Sequence, residues 1–246
     1  MNHNDFILSP VSDILKNVVS ASTGIGNGIE TYPLFDYIMQ SAFLKMTGAQ
    51  EQKMKCISWE LATHDYELRY IRFTQNRLGE CSCYKEKSII YKDIIEQIEK
   101  HSSTTFNTNQ ADKIKILRKT SSSINDTFLD SNLLIWAQKS FYEYRNIWSN
   151  VSYGYFFVDK NNMLAETANH SLKKIYENQL YKHRNRIAHN TQSYQQNLPT
   201  LKTLIKEDYI HENYFIYFSI LILIDNIFMD LYRKYHEVIN GEDIFL

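Results

Sequence analysis

Residues 214–229 are apolar at every position except Ser219, Asp225 and Asn226. A helix that is hydrophobic on all sides has to be hidden from water on all sides. The stretch is shorter than the ~20 residues a membrane span needs, and its polar breaks fall where a bilayer is least forgiving. It therefore reads as a buried core or interface helix, and no membrane association is expected. The rest of the chain has few places to turn, with seven Gly and three Pro in 246 residues. No Pro-rich or Gly-rich linker divides it and no repeat is evident. The expected fold is all-α, a bundle of long antiparallel helices with additional peripheral ones. Residues 1–246 would form one domain, with a helix and loop at 1–30 and a C-terminal portion at 162–240.

Apolar spacing locates the helices. One is expected after Ser9-Pro10, carried by Val11, Ile14, Leu15 and Val18, and another over 34–48 with Gly48 as its stop. A third runs over 51–78, where Met54, Ile57, Leu61, Leu68 and Ile71 make the stripe and Glu51, Lys53, Asp65 and Glu67 a solvated face. Residues 85–100 form an amphipathic helix whose charges also face water. Shorter helices are expected at 112–119 and 130–148, the second with a core-facing aromatic stripe. The run 121–123 reads as loose, 153–158 as a strand or loop, and 164–189 and 206–238 as two closing helices around a polar connection at 190–199.

Charge narrows function only slightly. A formal net charge of −1 carries no global signature of nucleic-acid binding, so such a surface has to be a local patch. Cys56, Cys81 and Cys83 are too few and too closely set for a zinc hairpin and read as buried thiols. Gly24, Gly26 and Gly28 lack the preceding strand and the Lys-Ser/Thr ending of a phosphate loop. His64 and His101 have no partners at ligand spacing. No metal and no cofactor is expected. The N-terminus shows no basic region followed by an apolar run, so no secretory signal is expected and a cytoplasmic setting fits.

The densest cationic spot is Lys182-His183-Arg184-Asn185-Arg186-Ile187-Ala188-His189. Cleaving RNA without a metal needs a group that titrates near neutrality to move the proton of the 2′-hydroxyl or of the leaving group. It also needs a fixed cation for the charge that builds on the phosphate. His189 and Arg184 are residues of those two kinds. On a regular helix they lie about 140° apart, whereas Asn185 and His189 are neighbours at i, i+4. Asn185 is placed to orient the imidazole. Both can reach one phosphate only if the long Arg swings round, if the helix ends or bends there, or if two copies meet across a dimer, and the awkwardness of the separation argues for the dimer. Taken as plain structure, the same residues are a basic helix end whose cations offset the C-terminal dipole.

Arg184-Asn185-Arg186-Ile187-Ala188-His189 resembles the Arg-x4-6-His motif of HEPN domains, including the polar residue that commonly follows the Arg. Phe43-Leu44-Lys45-Met46-Thr47-Gly48-Ala49-Gln50-Glu51-Gln52-Lys53 is similar to the helix-Gly-helix hairpin of some HEPN families. The resemblance implies a HEPN-like helical bundle that forms a homodimer and brings two motifs into one cleft. It implies a metal-independent endoribonuclease acting in antiviral defence or as a toxin, with RNA as substrate and an antitoxin or defence-system protein as possible partner. Arg184 and His189 would be catalytic with Asn185 in support, and Lys182, His183 and Arg186 would bind substrate. Thr191 stands where HEPN toxins controlled by nucleotidyltransferases often carry Tyr, two residues after the His. The alternative is a non-catalytic HEPN-like module that binds RNA or a protein. A helical scaffold with no nucleic-acid role would be favoured if 182–189 proved buried in salt bridges.

Overall fold

The structure, a computed structural model, describes residues 2–26, 28–102, 105–107, 112–166, 171–189 and 213–241, with only the helical backbone of His189. Its helices are α1 (His3–Leu8), α2 (Ser12–Ala21), α3 (Tyr32–His64), α4 (Tyr66–Tyr70), α5 (Tyr84–His101), α6 (Lys113–Phe128), α7 (Leu134–Trp148), α8 (Leu172–Ile175), α9 (Tyr181–His189) and α10 (Tyr214–Ile239). Two single π-helical turns interrupt them, Ile71–Gln75 after α4 and Tyr176–Leu180 between α8 and α9. Among the described residues there is no strand, only one antiparallel bridge between Phe156 and Leu164. The fold is all-α, as the scarcity of breakers predicts.

The core is built around α10, which packs against α3, α5, α6 and α7. From Phe215 to Met229 every side chain of this helix is buried. By length and composition α10 could cross a membrane, yet 89% of its most apolar window is covered by the other helices. Its polar breaks have partners inside the bundle. Asn226 donates to the Thr120 hydroxyl at 3.2 Å. Asp225 accepts from the Lys53 ammonium at 2.6 Å and from the Val11 amide at 2.9 Å. Lys53 also donates to the Ser9 carbonyl, so one buried ion pair ties α3, α10 and the turn between α1 and α2 together.

Several boundaries differ from expectation for identifiable reasons. Helix α1 arises from a capping box that the apolar pattern does not reveal. Asn2 Oδ1 accepts from the Asp5 amide at 2.7 Å while the Asp5 carboxylate accepts from the Asn2 amide. Gly48 does not stop a helix, because α3 passes straight through it, and the hairpin likeness of 43–53 is not realised. Gly48 is exposed and a Cβ there would meet nothing. It costs about 1 kcal/mol relative to Ala, too little to break the buried stripe from Ile38 to Leu61. The helix expected over 51–78 is instead divided at Asp65, which closes α3 and caps α4 by accepting from the Glu67 and Leu68 amides. Residues 121–123 continue α6, and inside it Ser121 and Ser123 satisfy their hydroxyls on the carbonyls one turn back. Residues 153–155 form a 3-10 turn rather than a strand, and the helix expected from 164 begins at Leu172, capped by Ser171. The expected helix start at 206 and the connection at 190–199 lie outside the described residues.

The solvated faces expected on 51–78 and 85–100 are also corrected. Lys53, Asp65, Lys87 and Asp93 are all buried. Each has found a partner that sequence spacing does not show, because the partner lies on another element or in a loop. Cys56 and Cys81 are buried thiols and Cys83 is partly covered. In α7 the aromatic stripe of Phe141, Tyr144 and Trp148 faces the core.

Asp65 yields a prediction. Burial works to raise its carboxyl, but hydrogen bonds from Lys100, the Leu68 amide and Gln97 outweigh it and hold the group down at about 2, against 3.8 ordinarily. A carboxylate that is more acidic in the folded chain stabilises above its unfolded pKa and stops doing so as pH falls through its folded one. Asp65→Asn is expected to cost about 2 kcal/mol at pH 7 by this linkage. Urea melts of both proteins should show that gap shrinking below pH 4 and closing near pH 2.

Candidate functional site

The segment 182–189 lies on a helix that starts at Ser171, whose hydroxyl caps the Lys174 amide and donates to the Ala165 carbonyl. Leu172, Ile175, Tyr176, Leu180 and His183 form its buried face, the 3.6-residue stripe with one extra residue absorbed by the π-helical turn Tyr176–Leu180. Single π turns inside helices are frequent at functional sites. The helix packs along α3, and α-helical geometry persists to His189. Positions 184 and 189 are thus about 140° apart around the helix axis, and Asn185 lies one turn before position 189. The His189 side chain lies outside the described atoms, as do Thr191 and Tyr194.

Arg184 is 21% exposed and Glu51 of α3 is 14% exposed, and the two form an ion pair at 3.0 Å. The other terminal nitrogen of Arg184 donates to Asn185 Oδ1 at 3.1 Å. One N–H from each end of the guanidinium is thus committed, which fixes its plane. A guanidinium has five N–H donors, so the group keeps capacity for a phosphate oxygen. Held at its edges and partly open to solvent, it is a pre-set anion contact.

Lys87 of α5 stands behind Glu51 and is fully buried. Its ammonium donates to the Cys81 carbonyl at 2.5 Å and lies 5.7 Å above the Tyr176 ring. Burial lowers it to about 8, opposed chiefly by the Glu51 carboxylate. Tyr176, on the π turn, donates to the Ser82 carbonyl at 2.9 Å, and burial pushes its phenol well above the usual range. The space enclosed by Glu51, Lys87, Tyr176, Arg184 and their neighbours is too small for water. A dry wall raises the strength of every charge contact within it.

His183 is buried among Phe43, Tyr214 and Tyr217, with ring centroids 5.3 to 5.7 Å away. Arg186 reaches its Nδ1 at 3.3 Å, and Nε2 lies 2.9 Å from the Tyr214 hydroxyl. Both nitrogens are engaged inside the protein, so His183 braces the helix, and a substrate would meet it only by displacing Arg186 or Tyr214. Lys182 is exposed and Arg186 half-buried. The structure thus brings Arg184 and Asn185 into direct contact and turns His183 inward. Glu51, Lys87 and Tyr176 are members of the site that the sequence pattern did not single out. The one available signal was the extra residue in the apolar stripe at 176–180.

No group of three or more His, Cys, Asp or Glu among the described residues is placed to hold a metal ion. Comparison with protein-family models, with curated proteins and with solved structures finds no match.

Proposed function

We propose that this chain is a HEPN-type, metal-independent endoribonuclease of the cytoplasm, serving in antiviral defence or as a toxin. The observation that carries the reading is Arg184, held by Glu51 and Asn185 at the edge of a dry, charged wall and followed on the same helix by His189. In the proposed reaction the 2′-hydroxyl attacks the adjacent phosphorus and the bond to the 5′-oxygen breaks, leaving a 2′,3′-cyclic phosphate and a 5′-hydroxyl. His189 transfers the proton of the attacking or leaving oxygen, and Arg184 stabilises the added charge on the phosphate. Positions 184 and 189 are about 140° apart on one helix, and in the proposed site two copies of the chain meet as a homodimer to bring an Arg184 and a His189 to one phosphate. Lys182 and Arg186 add phosphate contacts along the strand. Cleavage of RNA in the presence of EDTA, lost on substituting either motif residue, is the test.

Glu51 acts in this scheme as a positioning residue. Glu51→Gln keeps an acceptor oxygen and is expected to lower the single-turnover cleavage rate about tenfold; Glu51→Ala leaves Arg184 unanchored and should lower it about 10²-fold. Rates are to be corrected for the folded fraction measured by urea melts. A purely structural Glu51 would leave the corrected rates of both variants at the wild-type value.

A second reading has one observation in its favour. The Arg184–Glu51 pair at 3.0 Å makes a phosphate compete with a carboxylate, as suits a non-catalytic module that binds RNA or a partner protein. A scaffold without any nucleic-acid role would need the segment locked in salt bridges. Of the segment's described cations, Lys182 is exposed.

A further inference from the structure

A separate cavity of about 430 Å³ opens where α3 meets the π-helical turn Ile71–Gln75 and the loop before α5. This is within the ~300–1,000 Å³ range of small-molecule sites. Its wall includes Lys55, Arg72 and Arg77 and not one carboxylate. Lys55 is paired with Glu80, whose side chain is 79% exposed, and Arg72 is held from behind by the buried Asp93 through two hydrogen bonds of 2.7 and 2.6 Å. Arg77 is exposed and has no ion-pair partner among the described residues. Among the described residues the cavity thus presents one cation fixed from behind, one paired at the surface and one without an ion-pair partner, an arrangement suited to an anion that approaches Arg77 and is steadied by the others.

The opposite requirement, an apolar and flat one, is met by Trp59 and Phe73. Both are large aromatics left open to solvent, at 48% and 40% exposure. Their rings stand 5.8 Å apart at 89°, so a planar ligand stacked on one meets the other edge-on, which is the favoured geometry of both contacts. Arg69 lies 5.9 Å over Trp59 and steadies that ring. Gln52 and Ser58 add hydrogen-bonding groups to the same lining. Phe73 and Arg72 are neighbours on the π turn, so the device that separates α4 from the loop also sets an aromatic and a cationic group side by side.

We propose that this cavity binds a mononucleotide, with its base in the corner of Trp59 and Phe73 and its phosphate on Arg77, Lys55 and Arg72. The site is distinct from the motif and stands or falls without it.

The test is titration calorimetry of the full chain with AMP, adenosine and inorganic phosphate, repeated on Arg77→Ala and Trp59→Leu. Both residues are exposed enough for the variants to keep the wild-type melting temperature. AMP is expected to bind the wild type, and adenosine and phosphate each to bind at least tenfold more weakly, because each carries half of the recognised chemistry. Arg77→Ala should weaken AMP at least tenfold and leave adenosine unchanged; Trp59→Leu should weaken AMP and adenosine alike. No AMP binding, equal binding of phosphate and AMP, or AMP affinity unmoved by both substitutions would overturn the assignment.

Discussion

Asp225→Ala is expected to destabilise the fold by about 3–5 kcal/mol, the usual cost of stripping one partner from a buried ion pair. Both side chains of the pair are 2% exposed, so Lys53 would be left charged, dry and without its carboxylate. The loss extends beyond the pair. The Val11 amide would lose its acceptor and the link between Lys53 and the Ser9 carbonyl its anchor, and an unsatisfied buried polar group costs about 1–3 kcal/mol by itself. Burial already pushes the Asp225 carboxyl above its ordinary value, with Lys53 and the Val11 amide pulling the other way. At this carboxyl desolvation outweighs the attraction. Replacing both members at once, Lys53→Met with Asp225→Leu, should cost clearly less than either single change, since no orphaned charge remains. Urea melts with unchanged slope measure all three. Single variants within 1 kcal/mol of wild type would show that the pair does not hold the bundle centre.

The same pair shows what the sequence reveals and what it hides. The apolar run 214–229 identifies the central helix because a helix apolar on all sides must be hidden from water, and the polar breaks inside it argue for a protein core. Asp225 within that run announces that a cation must come to meet it, but not which. Lys53 lies 172 positions away and sits in a stretch whose alternating charges imitate a solvated surface. Asp65, Lys87 and Asp93 were misplaced for the same reason. Periodicity reports how apolar residues line up along one helix, and it is blind to polar partners on another. Gly48 was misjudged in the other direction: its propensity cost of about 1 kcal/mol is smaller than the packing energy of the stripe it interrupts.

The candidate site was legible as composition and not as architecture. Arg184, Asn185 and His189 stand out by residue type and spacing. His183 belongs to the same cationic run, and nothing in the sequence distinguishes it from the others, yet it is turned into a box of Phe43, Tyr214 and Tyr217. Glu51, which holds Arg184, is separated from it by 133 residues. Such contacts follow from how α3 lies along α9, and local pattern contains no information about that.

His189→Ala is expected to lower RNA cleavage by about 10²–10⁴, the typical contribution of a positioned proton-transfer group. Arg184→Ala should lower it by about 10²–10³ through loss of charge stabilisation at the phosphate. Arg184→Lys separates charge from shape. A lysine supplies a point charge without the planar fork that Glu51 and Asn185 grip, so it should recover binding of RNA more than turnover. Arg184→Ala also leaves Glu51 without its partner, and its activity has to be read below its own melting transition.

The measurement that tests the account most directly is cleavage of a mixed RNA pool in EDTA by the wild-type chain, His189→Ala and Arg184→Ala, with products sorted by their ends. Wild-type products are expected to end in 2′,3′-cyclic phosphate and 5′-hydroxyl, with near-complete loss in both variants while RNA binding by His189→Ala persists. Equal cleavage by all three proteins, or RNA bound by the wild type and never cut, would contradict it.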